Sequence, residues 1–222
     1  MLMIRGRDFT KQFNLDQDYY LEHLDFINWY RYFFLVKEVL RTRPQRILEI
    51  GGGSGIVRNC LSALVEEYLT LDINPQLEPD ILGDVRNHNP DLDKRFSSII
   101  IADVLEHIPF VDMAQTLRNL YRYLIPGGEI LITIPHRRSY FLFLTPTYKH
   151  HIVSVPKGFL SLGSFYRRFI KRKIWIDPDH CWEIGDGKIH KRDVEASFKE
   201  VGFSIEMFMR LLYVDFWVLK KY

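Results

Sequence analysis

A short apolar run that ends in a cluster of glycines contains the residues most able to bind a charged ligand. Residues 47–50 are apolar except for Glu49, and Gly51, Gly53 and Gly55 follow at alternate positions. Glycine lets a backbone approach a ligand closely in conformations that other residues avoid. An acid at this point favours a ligand with positive charge, because a pyrophosphate would be repelled by it. The spacing therefore predicts a binding turn for a cationic group.

A second acid follows at the end of the next apolar segment. Asp72 ends the run 68–72 and is followed by Asn74 and Pro75, which terminate a strand. A carboxylate at the end of a strand beside a glycine turn can accept hydrogen bonds from both hydroxyls of a ribose. The ligand expected from these two acids has a cation and a ribose.

The positions of the glycines exclude two other nucleotide-binding turns. A dinucleotide turn needs G-x-G-x-x-G, but counting from Gly51 or Gly53 places Ile56 or Arg58 in the final glycine position. The Gly-Lys-Ser/Thr sequence of a phosphate-binding P-loop does not follow the turn. A nucleotide-dependent oxidoreductase is therefore disfavoured.

Strands and helices alternate around these acids at a spacing typical of a doubly wound parallel sheet. The first strand and helix lie within 46–66. We predict further strands at 68–72, 80–85, 96–103, 129–134, 203–209 and 213–219, and further helices at 17–41, 111–123 and 191–201. In such a sheet, ligands bind at the carboxyl ends of the strands. For the N-terminal helices, two interpretations stay open: packing over the sheet edge, or a cap that also touches the ligand.

Composition and length predict one soluble domain. The chain has 222 residues, of which 47% are hydrophobic and 26% charged, as in ordinary globular proteins. It contains no apolar run of 18 residues and no N-terminal secretion signal, so we expect a cytoplasmic protein. Cys60 and Cys181 are expected to be reduced packing residues, and no residue is assigned to a metal.

Positive charge is concentrated in one segment. The net charge is only +2, but residues 136–178 contain nine Lys or Arg and a single acid, Asp177. These residues mix aromatic and basic side chains without a clean period, which indicates an insertion. Two uses compete: contact with an anionic membrane surface, or a clamp for an anionic substrate. A solvated lid is the plain alternative, and nucleic acid is not an expected partner.

Five stretches, in order, resemble the class I S-adenosylmethionine-dependent methyltransferases over about residues 46 to 135. They are Ile47-Leu-Glu49-Ile-Gly51-Gly-Gly53-Ser-Gly55, Asp72, Gly83-Asp84-Val85, Ala102-Asp103-Val104-Leu105-Glu106-His107, and Leu124-Ile-Pro126-Gly127-Gly128-Glu-Ile-Leu-Ile. The fourth is similar to the branch that includes quinone and small-molecule methyltransferases. The resemblance implies S-adenosyl-L-methionine as cofactor, with the ribose on Asp72 and the adenine at Asp84 and Val85. The full set of implied cofactor residues is Glu49, Gly51, Gly53, Ser54, Gly55, Asp72, Ile73, Asp84, Val85, Ala102 and Asp103.

The resemblance also implies an activity, which is methyl transfer to a small-molecule or lipid- or glycan-linked acceptor, with oxygen preferred as the acceptor atom. An alcohol or phenol must lose its proton, so a base is useful, and the candidates are His107, His136 and His180. Candidate substrate-binding residues are Glu106, Trp182, Glu183, Arg167 and Arg168. The alternative function is a cofactor-binding, non-catalytic partner subunit of a methylating or membrane-associated complex.

The expected fold is a Rossmann-like, doubly wound, mostly parallel seven-stranded sheet with helices on both faces. Within the single domain 1–222, we predict an N-terminal helical cap at 1–44, a cofactor-binding core at 45–135, a substrate lid at 136–186, and a C-terminal helix with strands at 187–222.

Overall fold

A seven-stranded sheet forms the centre of the molecule. The structure, a computed structural model, describes residues 25–144, 150–156, 162–166, 170 and 177–222. Its sheet strands are β1 (Arg46–Ile50), β2 (Glu67–Asp72), β3 (Ile81–Leu82), β4 (Phe96–Ala102), β5 (Leu124–Pro135), β8 (Ser204–Arg210) and β9 (Val214–Lys220). Their order is β3-β2-β1-β4-β5-β9-β8. The first five strands are parallel, and β9 is antiparallel to both of its neighbours. The predicted mostly parallel, seven-stranded sheet is confirmed.

Helices cover both faces of this sheet. They are α1 (Phe26–Thr42), α2 (Ile56–Leu61), α3 (Met113–Tyr123) and α5 (Lys191–Val201). Successive side chains of a strand point to opposite faces, so Ile99 and Ile101 of β4 pack in the layer that contains α3 and α5, whereas Ile100 packs in the layer that contains α1 and α2. All three are fully buried. This explains why the apolar content of β4 is nearly continuous.

Several element bounds differ from the sequence prediction. The third strand is only Ile81–Leu82, so Asp84 and Val85 follow it instead of ending it. Helix α2, which follows the first strand, ends at Leu61 and continues only as a 3-10 turn, Ser62–Leu64. The first part of the predicted helix 17–41 lies outside the described residues.

The insertion contains regular structure that its sequence pattern did not reveal. Strands β6 (Arg138–Leu144) and β7 (His150–Pro156) form a separate antiparallel hairpin, and a short helix, α4 (Leu162–Phe165), follows. The exposed side chains Phe141, Phe143 and Val153 belong to this hairpin, and Phe141 pairs with Val153 in the register. Burial on one face normally produces the alternating pattern by which a strand is recognised. A hairpin with exposed apolar side chains lacks that pattern.

Among the described residues, no helix combines the length and the apolar character needed to span a membrane.

Candidate functional site

A cavity of about 520 Å³ opens at the carboxyl ends of the central strands. It lies where the turn after β1, the loop after β4 and the segment after β5 meet. Its lining residues are Asn28, Arg31, Tyr32, Glu49, Gly51, Gly52, Gly53, Ser54, Ile56, Val57, Ala102, Asp103, Glu106, His107, Pro135, His136, Arg137, Asp177, Asp179, His180, Glu183 and Tyr213. A crevice at this edge is the expected ligand site of an open α/β sheet.

The glycine turn forms one wall of the cavity. Gly51 has a φ of +70°, and a Cβ atom added to it would lie 2.3 Å from Cγ2 of Val104. Its backbone N–H donates to the Leu71 carbonyl at 3.0 Å, which fixes the turn against β2. Only glycine fits a left-handed position so close to a neighbouring side chain, so the turn places bare backbone against the cavity.

Glu49 lies directly behind this turn. Its side chain is only 4% exposed, and the Tyr68 hydroxyl donates to its Oε2 atom at 2.8 Å. Burial raises the pKa of Glu49 to about 7, although the Tyr68 hydrogen bond and the charge of Arg58 oppose the rise. A cationic ligand in the cavity would favour the ionised carboxylate and lower this pKa.

Asp103 is held firmly at the end of β4. Its φ is +55°, a left-handed conformation that costs a non-glycine residue about 1–2 kcal/mol. Three groups donate to its carboxylate: the Arg31 guanidinium, the Thr133 hydroxyl and the Tyr213 hydroxyl. Backbone strain of this kind clusters at functional sites, where the surrounding structure holds it in place.

Arg31 brings helix α1 into the site. Burial by itself would lower the pKa of its guanidinium, but the adjacent Asp103 carboxylate raises the pKa overall. Asn28 and Tyr32 from the same helix also line the cavity. Helix α1 therefore packs on the sheet through Phe34, Leu35 and Val39 and also lines the cavity, and its contact with the ligand stays a prediction.

The cavity is also lined by a group of acids and histidines. We call Glu106, His107, His180 and Glu183 the acid–histidine group. Glu106 is fully buried, and burial together with the nearby Asp103 carboxylate raises its pKa well above the usual range. Burial lowers the pKa of His107, which favours the neutral imidazole.

Hydrogen bonds hold together the two segments of the chain that form this group, the loop after β4 and the segment before α5. The Cys181 N–H donates to the Glu106 carbonyl at 2.7 Å, and the Trp182 Nε1–H donates to the Ile108 carbonyl at 2.8 Å. His107 donates through Nδ1 to the carbonyl of Asp179 at 3.0 Å. The loop after β4 thus holds the segment before α5 by bonds at both its backbone and its side chains.

Glu183 lies at the centre of a smaller network within the group. His180 donates through Nδ1 to its Oε1 atom at 3.0 Å, the Asp177 N–H donates to the same atom at 3.1 Å, and Arg137 lies 3.0 Å from Oε2. Burial would raise the pKa of Glu183, but these hydrogen bonds and the Arg137 charge lower it. Glu183 is therefore an ionised residue that orients the His180 ring.

His136 differs from the other two histidines, although it also lines the cavity. It is 4% exposed, its Nε2–H donates to the Leu211 carbonyl at 3.4 Å, and its Nδ1 accepts from the Arg138 N–H at 3.2 Å. Burial is the main cause of its lowered pKa. Because both ring nitrogens bind backbone groups, His136 is less suited than His107 or His180 to exchange a proton with a ligand.

Many of the residues predicted from sequence line one cavity. They are Glu49, Gly51, Gly53, Ser54, Ala102, Asp103, Glu106, His107, His136, His180 and Glu183. The predicted residues outside its lining are Gly55, Asp72, Ile73, Asp84, Val85 and Trp182. Arg167 and Arg168 lie outside the described residues.

Three of the residues outside the lining have clear local partners. Oδ1 of Asp72 accepts from the Asn74 N–H at 2.8 Å. Asp84 pairs with the Arg86 guanidinium, so an adenine amine at this position would share the carboxylate with that residue. Trp182 is 3% exposed and packs against Phe110, with ring centroids 5.1 Å apart. The structure places Trp182 in the core, where it anchors the segment that contains His180.

Sequence patterns did not identify several lining residues. These are Asn28, Arg31, Tyr32, Arg137, Asp177, Asp179 and Tyr213. One feature of the sequence could have indicated Arg31: it is a single basic residue among the aromatic side chains of helix α1. A charge that is buried among aromatic side chains is costly unless it is paired. Its partner, Asp103, is 72 residues away in the chain.

A comparison with protein families connects this geometry to a known domain. A family model described as a methyltransferase domain matches residues 20–206. No curated protein matches the chain in sequence at a significant level.

Solved structures with a similar fold include proteins that bind the product of the expected cofactor. One is the 1,6-didemethyltoxoflavin-N1-methyltransferase of Burkholderia thailandensis with 1,6-didemethyltoxoflavin and S-adenosylhomocysteine, at a TM-score of 0.60 and 11% identity, over 96% of this chain and 85% of that chain. Another is the N-methyltransferase NodS of Bradyrhizobium japonicum with S-adenosylhomocysteine, at a TM-score of 0.62 and 13% identity, over 93% of each chain. A third is an S-adenosylmethionine-dependent methyltransferase of Clostridium acetobutylicum, at a TM-score of 0.59 and 11% identity, over 92% of this chain and 95% of that chain. At these identities the likeness shows the fold.

Proposed function

Because the chain belongs to the methyltransferase family, with a class I fold and S-adenosylmethionine as its cofactor, we propose that it methylates an oxygen atom of a small-molecule or lipid- or glycan-linked acceptor. The observation that carries the choice of oxygen is that His107 and His180 lie next to each other in the lining of the cavity, in a part that we call the acceptor end. Their ring centroids are 4.8 Å apart. Two imidazoles at one place can take up the proton of a hydroxyl acceptor.

The lining of the cavity contains the two kinds of group that methyl transfer requires. Gly51 and Glu49 suit a cofactor with positive charge, and the acid–histidine group suits a hydroxyl acceptor. Asp103 lines the same cavity and is fixed by Arg31, Thr133 and Tyr213. An enzyme of this class acts mainly by aligning the attacking atom with the sulfonium methyl, and alignment can supply roughly 7–11 kcal/mol of barrier reduction. The rigid contacts of Asp103 support this role.

The experiment that tests the proposal uses the full chain, methyl-deuterated S-adenosylmethionine and a pool of hydroxylated metabolites and lipids. Mass spectrometry of the products identifies the acceptor, and fragmentation locates the labelled methyl group. We expect a labelled methyl ether or ester. Transfer only to nitrogen or carbon would contradict the choice of oxygen, and cofactor binding without any labelled product would favour the non-catalytic partner subunit.

Substitutions at the acceptor end supply the matched comparison. His107→Asn and His180→Asn are expected to lower kcat by about 10²- to 10⁴-fold, the usual contribution of a general base. His190→Asn is the control, because His190 is an exposed histidine that also bonds an aspartate, at 3.2 Å from Asp193, and lies outside the cavity. Unchanged kcat in both acceptor-end variants would remove the histidines from the chemistry.

We further propose that the hairpin of β6 and β7 contacts an anionic lipid surface and that the acceptor is an anionic amphiphile in that surface. Its exposed Phe141, Phe143 and Val153 side chains and the basic excess of residues 136–178 support contact with an anionic lipid surface. The replacement of Phe141 and Phe143 by Ser should reduce binding to phosphatidylglycerol vesicles in a flotation assay. Equal flotation of both proteins, or none with the native chain, would contradict this partner.

A further inference from the structure

Glu106 is a buried carboxyl group that the cofactor does not account for. It is fully buried yet lines the cavity, and no other described residue donates a hydrogen bond to either of its carboxyl oxygens. A buried polar atom without a partner is costly, and each such atom in a folded protein requires an explanation. Nearby Asp103 and Glu183 add negative charge to the same place. A bound cation would offset this charge and satisfy the oxygens.

The two adjacent histidines are oriented in the way that metal ligands usually are. The Nδ1–H of His107 bonds the Asp179 carbonyl, and the Nδ1–H of His180 bonds the Glu183 carboxylate. In each ring this fixes the tautomer whose lone pair is on Nε2. An imidazole that binds a metal almost always donates its other nitrogen to a carbonyl or carboxylate in this way.

The spacing of the three side chains suits one ion. One ligand atom each from Glu106, His107 and His180 lies within 4.8 Å of the others. Ligand atoms bound at about 2.0–2.2 Å from a metal are at most about 4.4 Å apart, so small side-chain rotations complete the contact. Among the described residues, two cations near the group are each paired with an acid, Arg31 with Asp103 and Arg137 with Glu183.

We propose that Glu106, His107 and His180 form a divalent-metal site at the acceptor end of the cavity. Two imidazoles and one carboxylate suit Zn²⁺, Mn²⁺ or Fe²⁺ better than Mg²⁺ or Ca²⁺, which prefer oxygen ligands. Three protein ligands leave positions open on the ion. If the proposed function holds, a hydroxyl oxygen of the acceptor occupies one of these positions, and the ion lowers the pKa of that hydroxyl. The hydroxyl proton then passes to solvent, because both imidazoles hold the ion through Nε2 instead of acting as bases.

Metal binding is tested without any acceptor or turnover. The full chain, with any affinity tag removed and after treatment with a chelator, is titrated with Zn²⁺ by calorimetry and with Mn²⁺ by electron paramagnetic resonance. We expect one ion per chain. Absence of saturable binding of both ions to the native chain would overturn the proposal.

Variants locate the ion. Glu106→Gln and His180→Asn should each weaken Zn²⁺ binding by at least tenfold. Glu183→Gln removes the charge of the carboxylate that His180, Arg137 and the Asp177 N–H share, and it should weaken Zn²⁺ binding by about 10- to 100-fold. His190→Asn is the control and should bind Zn²⁺ as the native chain does. Affinity for S-adenosylhomocysteine, measured on every variant, shows that the fold is intact. Native Zn²⁺ affinity in both Glu106→Gln and His180→Asn would overturn the assignment.

The metal site and the proposed function can fail separately. Binding of one ion by a chain that methylates no oxygen acceptor would support the metal site and contradict the proposed function. Labelled oxygen products formed by a chain that binds no ion would support the function and contradict the metal site, and His107 or His180 would then act as a base.

Discussion

Replacement of Glu49 by Gln separates the cost of a buried charge from its use in cofactor binding. Gln keeps the size of the side chain and an oxygen that can accept the Tyr68 hydroxyl, which donates to Glu49 at 2.8 Å. It removes only the ionisation. Because the Glu49 side chain is 4% exposed, solvent screens that ionisation little.

The pKa of Glu49 determines the sign and the size of the effect. Burial raises this pKa from 4.5 to about 7 in the folded protein, so between these values the folded state holds more protons than the unfolded state. Stability therefore falls as the pH rises from about 4.5 to about 7, and it stays reduced above 7. At about 1.4 kcal/mol per pKa unit, the full cost is about 3 kcal/mol. Without cofactor, Glu49→Gln should be more stable than the native chain by up to that amount at about pH 8, and the difference should disappear near pH 4.

Urea denaturation of both ligand-free proteins across this pH range measures the difference. Parallel stability curves, or a Gln variant that is less stable at the higher pH, would refute the argument that burial penalises this carboxylate. Calorimetry in two buffers of different ionisation enthalpy tests the cofactor. The native chain should release a proton on binding S-adenosylmethionine near pH 6.5, because a cationic ligand lowers the pKa of Glu49, and the variant should not release that proton.

The remaining predictions concern the cofactor turn and the anchor of the acceptor end. Asp72→Ala should weaken S-adenosylhomocysteine binding by roughly 1.5–3 kcal/mol in calorimetry, the range for hydrogen bonds to a charged group, and an unchanged affinity would remove Asp72 from the ribose site. Gly51→Ala should destabilise the fold by roughly 2–4 kcal/mol, since its Cβ would lie 2.3 Å from Val104 at a φ of +70°; an added Val104→Ala should recover only the steric part. Trp182→Phe leaves the Ile108 carbonyl without its donor and should cost about 1–3 kcal/mol in urea denaturation at native cofactor affinity. Native stability with impaired turnover would instead support contact of Trp182 with substrate.

Local sequence chemistry determined the core of the fold and the type of ligand. The apolar run before Gly51 and the acids at 49 and 72 are features of single segments, and their strand and turn preferences act over a few residues. Since parallel strands end at the same edge of a sheet, the positions of Glu49, Asp103 and His107 near one another followed without any long-range information. The confirmed sheet and family rest on these segments.

Sequence periodicity did not predict element bounds that depend on tertiary contacts. The third strand, predicted at 80–85, consists only of Ile81–Leu82, because pairing with β2 extends over just two residues. The hairpin of β6 and β7 has exposed apolar residues and therefore no alternating pattern. Element bounds and the structure of the insertion depend on neighbours that a local window does not contain.

The sequence alone thus predicted a ligand with a cation and a ribose, and it identified the acids and glycines that are candidates for contact with that ligand, because those preferences are local. S-adenosylmethionine itself was named from the resemblance to the methyltransferases. Only the tertiary structure showed which distant groups meet in the cavity. Arg31 reaches Asp103 across 72 residues, and His107 reaches Asp179 across another 72. Contacts at such separation form when helices pack on the sheet and buried charges find partners. The acid–histidine group, with Trp182 as its anchor, is a product of that packing, and so is the burial of the Glu106 carboxyl group away from any donor of another described residue.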